Sequence, residues 1–303
     1  MALKVEPLHP HLGAEVRGVD LARPVAADVF AEILAAFNRH AVLVFPGQQI
    51  TDQQQIAFSA LFGPLEKVQS YTGGRPKRLQ GDISDLSNLT PDGSSVWQED
   101  DPKRVFNVAN RLWHTDSSFK HVPALCSLLS AREVPPMGGE TEFADLRAAW
   151  DALPDSRKDG LEGLIVEHSI LRSRSLIGHT DLGPELRRQL PPVQQVLVRR
   201  HPGSGRKTLY LASHASHVVG WPVDKGRKLI EELIAFSVQP RFVYRHHWRV
   251  GDLIVWDNRC TMHRGLPFDD LKHRRVMHRT TVSEPANTVE QAQGASLANA
   301  VRS

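Results

Sequence analysis

Apolar residues recur along this chain in two rhythms, one helical and one of short strands. Phe30, Ile33, Leu34 and Phe37 stand at i, i+3, i+4 and i+7 behind Asp28, which is placed to cap a helix. Ala41 to Phe45 then reads as a buried strand stopped by Pro46-Gly47. Thr51-Asp52-Gln53-Gln54 has the form of a capping box, Phe58, Leu61 and Phe62 make an apolar stripe, and Gly63-Pro64 ends that helix. Asp145 is placed to cap a helix carrying Leu146, Ala149, Trp150 and Leu153, and Asp224 one carrying Leu229, Ile230 and Leu233. The remaining apolar runs, Leu209 to Ala212, Arg241 to Tyr244, Leu253 to Trp256 and Val276 to Val282, are short. Together they predict a mainly β fold, an antiparallel core with helices packed outside.

Two stretches resist regular assignment, 66–107 and 168–192, and loops of that length inside a folded unit predict covers over a site. Beyond Glu284 the residues are small and polar, which predicts a mobile tail over 284–303 after a single domain spanning 1–283. With 41% hydrophobic residues in 303, the chain can bury a substantial core. No basic-then-apolar leader is visible and no apolar run approaches the roughly 18 residues that span a bilayer, so a soluble cytoplasmic protein is expected. Cys126 and Cys260 lie in apolar segments without metal-type spacing and are predicted to be buried thiols rather than a disulfide. A net charge of +3, with no basic run interleaved with aromatics, argues against nucleic acid as a partner and fits a small anionic substrate.

The candidate chemistry lies in Trp113-His114-Thr115-Asp116 and Thr261-Met262-His263-Arg264. His114, Asp116 and His263 can give one metal ion two imidazoles and one carboxylate, leaving an open face that suits Fe(II) binding a co-substrate and dioxygen. The short motif is weak alone, because 15 His and 34 acids predict roughly two His-x-acid matches by chance. A second copy, His179-Thr180-Asp181, lies between Gly178 and Gly183-Pro184 in a loop-like stretch and reads as a decoy. Leu112-Trp113 before the first copy and Phe119 after it suggest the end of a strand entering a core, where positions i and i+2 share a face.

Larger motifs extend this. Gln55-Ile56-Ala57-Phe58 with Phe62-Gly63-Pro64, Asn110 to Phe119, Pro135 to Phe143, and Trp256-Asp257-Asn258-Arg259 through Arg274-Arg275-Val276-Met277-His278-Arg279 together resemble the taurine and (2,4-dichlorophenoxy)acetate dioxygenases. The resemblance runs from about Val5 to Val282. It is nearer the phenoxyacetate branch in Leu112 to Phe119, in Asp145-Leu146-Arg147-Ala148-Ala149, and in His201 to Lys207 followed by Ser213 to Val218. It implies a double-stranded β-helix, or jelly roll of cupin type, with iron at the barrel mouth and 2-oxoglutarate and O2 as co-substrates.

Under the resemblance His114, Asp116 and His263 are the iron ligands. A carboxylate at 116 favours hydroxylation over halogenation, since related iron halogenases place chloride there. The family pattern gives the distal carboxylate of 2-oxoglutarate to Arg275 and Thr141; a guanidinium can hold it bidentately. If 274–279 is a strand, Arg275, Met277 and Arg279 share a face, and the resemblance assigns Arg279 to the anionic group of the primary substrate. Asn110 matches a substrate-contacting position and His214 offers a second polar contact, with a capped loop histidine as its alternative. Tyr71 and Trp97 are available for ring stacking, whereas Trp113 and Trp256 read as packing residues.

The implied reaction hydroxylates the carbon beside the ether oxygen of a phenoxyalkanoate, releasing a phenol and a 2-oxo acid, with succinate and CO2 from the co-substrate. A sulfonate dioxygenase, and a non-catalytic metal-binding jelly-roll protein, stand as alternatives. Relatives of this kind imply a homo-oligomer.

Overall fold

The apolar runs of the sequence become the middle of a seven-stranded sheet in the computed structural model, which describes residues 2–68, 78–79, 81–180 and 182–300, without the side chains of 102, 105, 106 and 296–300. In chain order the strands are β1 (Lys4–Pro7), β2 (Ala14–Arg17), β3 (Val42–Phe45), β4 (Ser84–Asp85) and β5 (Ala124–Glu133). There follow β6 (Thr141–Asp145), β7 (Ile165–His168), β8 (Val193–Val196), β9 (Val198–Arg200) and β10 (Lys207–Leu209). The last are β11 (Ala215–Val218), β12 (Val243–His246), β13 (Leu253–Asp257), β14 (Thr261–Gly265) and β15 (Val276–Ser283). The large sheet has the order β1-β2-β3-β13-β5-β15-β4; three-stranded sheets β12-β6-β14 and β11-β7-β8 and the pair β10-β9 complete a jelly roll.

Alternation along the central strands sorts the core. Leu43, Phe45, Leu253 and Val255 pack outward with Phe37 of helix α1 (Ala27–His40) and Phe58 of α2 (Asp52–Ala60). Val42, Val44, Ile254 and Trp256 face the other way and meet Phe143 of β6 and Met277 of β15. Each such side chain taken fully from water contributes about 1.5–3 kcal/mol, so a one-residue slip of β3 or β13 would exchange two buried layers.

The predicted capping box is present: the Thr51 hydroxyl accepts from Gln54 N–H and the Gln54 side chain accepts from Thr51 N–H. Leu61 follows α2 and is 43% exposed, so it leaves the expected stripe. Asp145 caps α4 (Leu146–Ala152) through the Arg147 and Ala148 amides. Asp28 lies inside the first turn of α1 rather than at its cap, as does Asp224 in the later helix Val223–Ser237, where acids still complement the helix dipole. The run from Arg241 begins as a 3-10 turn, Pro240–Phe242, before β12, and Tyr210 to Ala212 are buried beyond the end of β10. Cys126 and Cys260 are buried free thiols. No helix among the described residues is long and apolar enough to cross a membrane.

The two irregular stretches carry short elements. Residues 66–107 contain β4 and α3 (Pro102–Asn107), while 168–192 contain α6 (Ile170–Ser175) and α7 (Gly183–Gln189), after the single turn α5 (Asp155–Lys158). Helices this short are marginal alone, and Ile170, Leu186 and Leu190 hold these two by packing together.

The first residues of the expected tail are held in the interior. Glu284 is buried and ion-paired with Arg199, which is itself buried, Asn287 and Thr288 are buried, and α9 (Thr288–Ala300) follows α8 (Val223–Ser237) as the last helix. Polarity misled here because the partner of Glu284 lies 85 residues away in sequence. Glu284→Ala would leave Arg199 charged in the interior, and a loss of about 3–5 kcal/mol in urea unfolding is expected.

His168, at the end of β7, gives a pH dependence. Its ring is fully buried and stacks on Tyr210 with centroids 5.7 Å apart, and burial lowers its pKa to about 3. The unfolded chain therefore takes up the proton first as pH falls. Stability is fully present above about pH 6.5 and is lost progressively below it, by roughly 3 kcal/mol at pH 4. Unfolding curves at pH 7 and pH 4 should lose that difference in His168→Phe; equal slopes in the two proteins would remove His168 as its source.

Candidate active site

The first half of the site rises from the 3-10 turn Val108–Arg111, after which the chain makes a single two-way bridge to β14. His114 N–H donates to His263 O at 3.0 Å, and His263 N–H to His114 O at 2.8 Å. The strand end expected at 112–116 is thus one bridge. The Thr115 hydroxyl lies 2.8 Å from Leu211 O and 3.0 Å from Thr261 O, turned away from the site, and Ser117 then takes a left-handed φ of 53°. That bend is secured where Ser117 Oγ donates to Glu66 Oε2, 3.0 Å away, which also pairs with Lys120 at 2.6 Å.

His114, Asp116 and His263 come together as the sequence predicted. One ligand atom from each lies within 4.8 Å of the others, and all three residues are buried. His114 Nε2 is 3.8 Å from Asp116 Oδ1, and His263 Nε2 is 3.8 Å from Asp116 Oδ2. The His114 Nδ1–H donates to Leu112 O at 2.8 Å, fixing the tautomer whose Nε2 lone pair faces the cluster. His263 packs against Trp256, 4.8 Å away by ring centroid, and Phe143, 6.1 Å away, which also touch each other.

Electrostatics suit a cation. Burial lowers the pKa of both histidines, so both rings are neutral and able to ligate. Burial alone would raise that of Asp116, yet the net effect is a carboxyl held well below its usual range, chiefly by the Arg279 guanidinium. Arg279 Nη1 donates to Asp116 Oδ1 at 2.8 Å, Ser127 Oγ to Oδ2 at 2.7 Å, and the Asp116 amide to Asn258 Oδ1 at 3.1 Å. Asn258 Nδ2 in turn donates to Ser127 Oγ at 3.0 Å. Two neutral nitrogens and one anionic oxygen fit a divalent transition metal.

Two cavities meet at the cluster, and His114, Asn110 and Arg279 line both. The smaller, about 130 Å³, carries Thr141 and Arg275. Arg275 precedes β15, where Asn88 holds its chain: Oδ1 accepts from Arg275 N–H at 2.7 Å, and Nδ2 donates to Asp270 O and His273 O. Burial lowers the Arg275 pKa to about 10, still a cation at neutral pH. The Thr141 hydroxyl accepts from Trp248 Nε1 at 3.0 Å, leaving its own O–H to donate.

The larger cavity, about 270 Å³, is lined by His214, Phe119, Ile170 and Arg174 among others. The His214 ring lies 4.6 Å from Phe119 and 6.3 Å from His114 by centroid. Trp97 lines both cavities, its indole N–H donating to Leu89 O, while Tyr71 lies outside the described residues. Trp113 packs beneath the Arg264 guanidinium, 4.7 Å over its ring, and Trp256 is buried, as a packing role requires. His179 is not in the cluster, and Asp181 lies outside the described residues.

Ser127, Asn258 and Asn88 were missed as supports of the site. The available signal was a polar side chain at a buried position between apolar neighbours, as with Ser127 in β5.

A jelly roll holding two histidines and an aspartate beside a cavity ending in threonine and arginine defines an iron(II)- and 2-oxoglutarate-dependent dioxygenase. Residues 4–281 match the family described as taurine catabolism dioxygenase TauD, TfdA family, and the chain belongs to it. It is 47% identical to an alpha-ketoglutarate-dependent 2,4-dichlorophenoxyacetate dioxygenase of Cupriavidus pinatubonensis, over 94% of this chain and 99% of that protein. It is 36% identical to an (S)-phenoxypropionate/alpha-ketoglutarate-dioxygenase of Sphingobium herbicidovorans, over 94% and 97%. Among solved structures it resembles AAD-2 in complex with Mn(II) and N-oxalylglycine, with a TM-score of 0.87 and 43% identity over 95% of this chain and 99% of that one. Fe(II), 2-oxoglutarate and O2 are accordingly its metal and co-substrates.

Proposed function

We propose that the protein hydroxylates the carbon beside the ether oxygen of a phenoxyalkanoate such as (2,4-dichlorophenoxy)acetate. The observation that carries this reading is one buried His-Asp-His cluster serving two cavities of different character. The smaller has the hydroxyl and guanidinium that a dicarboxylate needs; the larger joins apolar walls to polar and cationic groups. The 47% identity with a 2,4-dichlorophenoxyacetate dioxygenase supports the choice of substrate class.

In this reading His114, Asp116 and His263 hold the iron. Thr141 and Arg275 take the distal carboxylate of 2-oxoglutarate, the hydroxyl donating one hydrogen bond and the guanidinium supplying charge. Asn110, His214 and Arg279 face the primary substrate, and the described residues of 78–107 and 168–192 screen it from water. When bound, iron with 2-oxoglutarate and O2 supplies the oxidising power that exchanges C–H for C–OH, with release of succinate and CO2. The chain's own task is placement. The Leu112 carbonyl fixes the His114 tautomer, Ser127 fixes the Asp116 carboxylate and Asn258 its backbone amide, and Phe119 with His214 walls the substrate side. The hydroxylated product is a hemiacetal, which expels a phenol and leaves a 2-oxo acid.

With Fe(II), 2-oxoglutarate and O2, (2,4-dichlorophenoxy)acetate should give phenol and succinate in equal amounts. Sulfite from taurine, with no phenol from any phenoxyalkanoate, would move the protein to a sulfonate substrate. Metal binding without O2 consumption would make it non-catalytic.

A further inference from the structure

Among the described residues a second group of metal-type side chains lies outside the iron cluster: His201, Asp257 and Cys260, all buried, with one donor atom of each within 4.8 Å of the others. It is closed to a cation. Asp257 Oδ1 accepts from the Arg259 amide at 2.9 Å and from Arg259 Nε at 2.8 Å, and Oδ2 accepts from Arg259 Nη2 at 2.6 Å and from His201 Nε2 at 2.9 Å. Four donors saturate the two oxygens of a carboxylate, and two of these come from a charged guanidinium. The His201 tautomer is set from the other side of its ring, because the Ser204 amide donates to Nδ1 at 3.0 Å and leaves the proton on Nε2.

The fixed carboxylate anchors the turn between β13 and β14, which carries the supports of the iron cluster. Asp257 N–H donates to Ala41 O at 2.8 Å, and its carbonyl accepts from the Thr261 hydroxyl at 2.7 Å. Beside it, Asn258 accepts from the Asp116 amide at 3.1 Å and donates to Ser127, whose hydroxyl holds Asp116 Oδ2. Thr261 offers its carbonyl to Thr115, between two of the ligands. The His201 turn is itself closely fitted: at the exposed Gly203 an added Cβ would stand 1.9 Å from Asn38 Oδ1, which accepts from Arg259 Nη2 at 3.5 Å. His201 to Lys207, a stretch that carries the phenoxyacetate-branch resemblance, thus reaches Asp116 through Asp257 and Asn258.

We propose that His201 is a positioning residue for the iron ligand Asp116, acting through Asp257 and Asn258. Its N–H completes the cage around the Asp257 carboxylate, and the caged carboxylate holds the turn where the Asn258 side chain meets the Asp116 amide. With an apolar residue at 201, Asp257 keeps Arg259 alone, the turn gains freedom, and Asp116 meets the metal in a less defined pose. The inference concerns the metal site and stands whichever acid is the primary substrate.

The probe is Mn(II), titrated into the full chain and its variants at a temperature where circular dichroism shows each to be folded, with the free ion read by electron paramagnetic resonance. His201→Leu removes the N–H and should weaken Mn(II) binding about 10-fold, the lower end for an outer-sphere partner of a metal ligand. His201→Gln can return an N–H to Asp257 and should stay within about threefold of the unsubstituted chain. Asn258→Ala should weaken Mn(II) about 10-fold or more, and adding His201→Leu to it should cost no more than about twofold further, because both act along one route. A purely structural histidine would lower the melting temperature and leave Mn(II) affinity unmoved, and that result would overturn the proposal. So would a glutamine variant as weak as the leucine variant, or a double variant whose loss is the product of the single losses. If His201→Leu does not fold, Gly203→Ala carries the test from the surface: pressing Asn38 away from Arg259 should weaken Mn(II) about threefold or more, and an unchanged affinity would overturn the proposal.

Discussion

Asp116→Ala is expected to abolish coupled turnover, with succinate formation reduced by about three orders of magnitude or more, because loss of a mere outer-sphere partner of a metal ligand already costs about 10–100-fold. The substitution removes more than a ligand oxygen. Arg279 now pairs with Asp116 at 2.8 Å, and without the carboxylate its charge would stand uncompensated beside His114 and His263. A cation entering the cluster would meet a neighbouring cation and two neutral nitrogens. Metal retention should therefore fall together with activity. Asp116→Asn separates these effects, since it keeps an oxygen for the Ser127 hydroxyl but not the charge. Bound iron measured after brief chelation, alongside succinate from 2-oxoglutarate, checks both. An alanine variant that holds iron and turns over at the original rate would refute the ligand assignment.

The sequence exposed this cluster because its residue types are rare in combination and because context separated His114-Thr115-Asp116 from its copy at 179–181. Periodicity also served well wherever one face of an element is dry: β3, β13 and β15 follow from apolar runs, and α2 from its reciprocal cap. The path of the chain into the site was less legible. Thr115 is anchored to the carbonyls of Leu211 and Thr261, 96 and 146 residues away, and these bonds fix a lone bridge where local pattern suggested a strand. Glu284 looked like the start of a tail because nothing near it in sequence announces Arg199. Asn258 stood inside a recognised motif, yet its task, holding both the Asp116 amide and the Ser127 hydroxyl, needed coordinates. Residue type and local rhythm carried the chemistry; long-range hydrogen bonds carried the scaffold that aims it.

Arg275→Met is expected to raise the KM for 2-oxoglutarate by about 30-fold or more, because truncating one member of a buried charge pair costs about 2–5 kcal/mol. The KM for the primary substrate should stay within about threefold, since Arg275 lines the smaller cavity and not the larger. The surroundings of Arg275 explain why a methionine is tolerable and why the position is exacting. Asn88 holds its backbone, and Gly139 lies against its side chain, so that an added Cβ would sit 3.3 Å from Arg275 Cδ and 3.4 Å from Nε. Gly139 also has a φ of +74°, where a side chain is strained, so Gly139→Ala should weaken 2-oxoglutarate in the same direction by pressing the guanidinium out of place. Initial rates over a grid of both substrates distinguish the outcomes. If Arg275→Met raised only the KM of the primary substrate, the two cavities would have to exchange occupants.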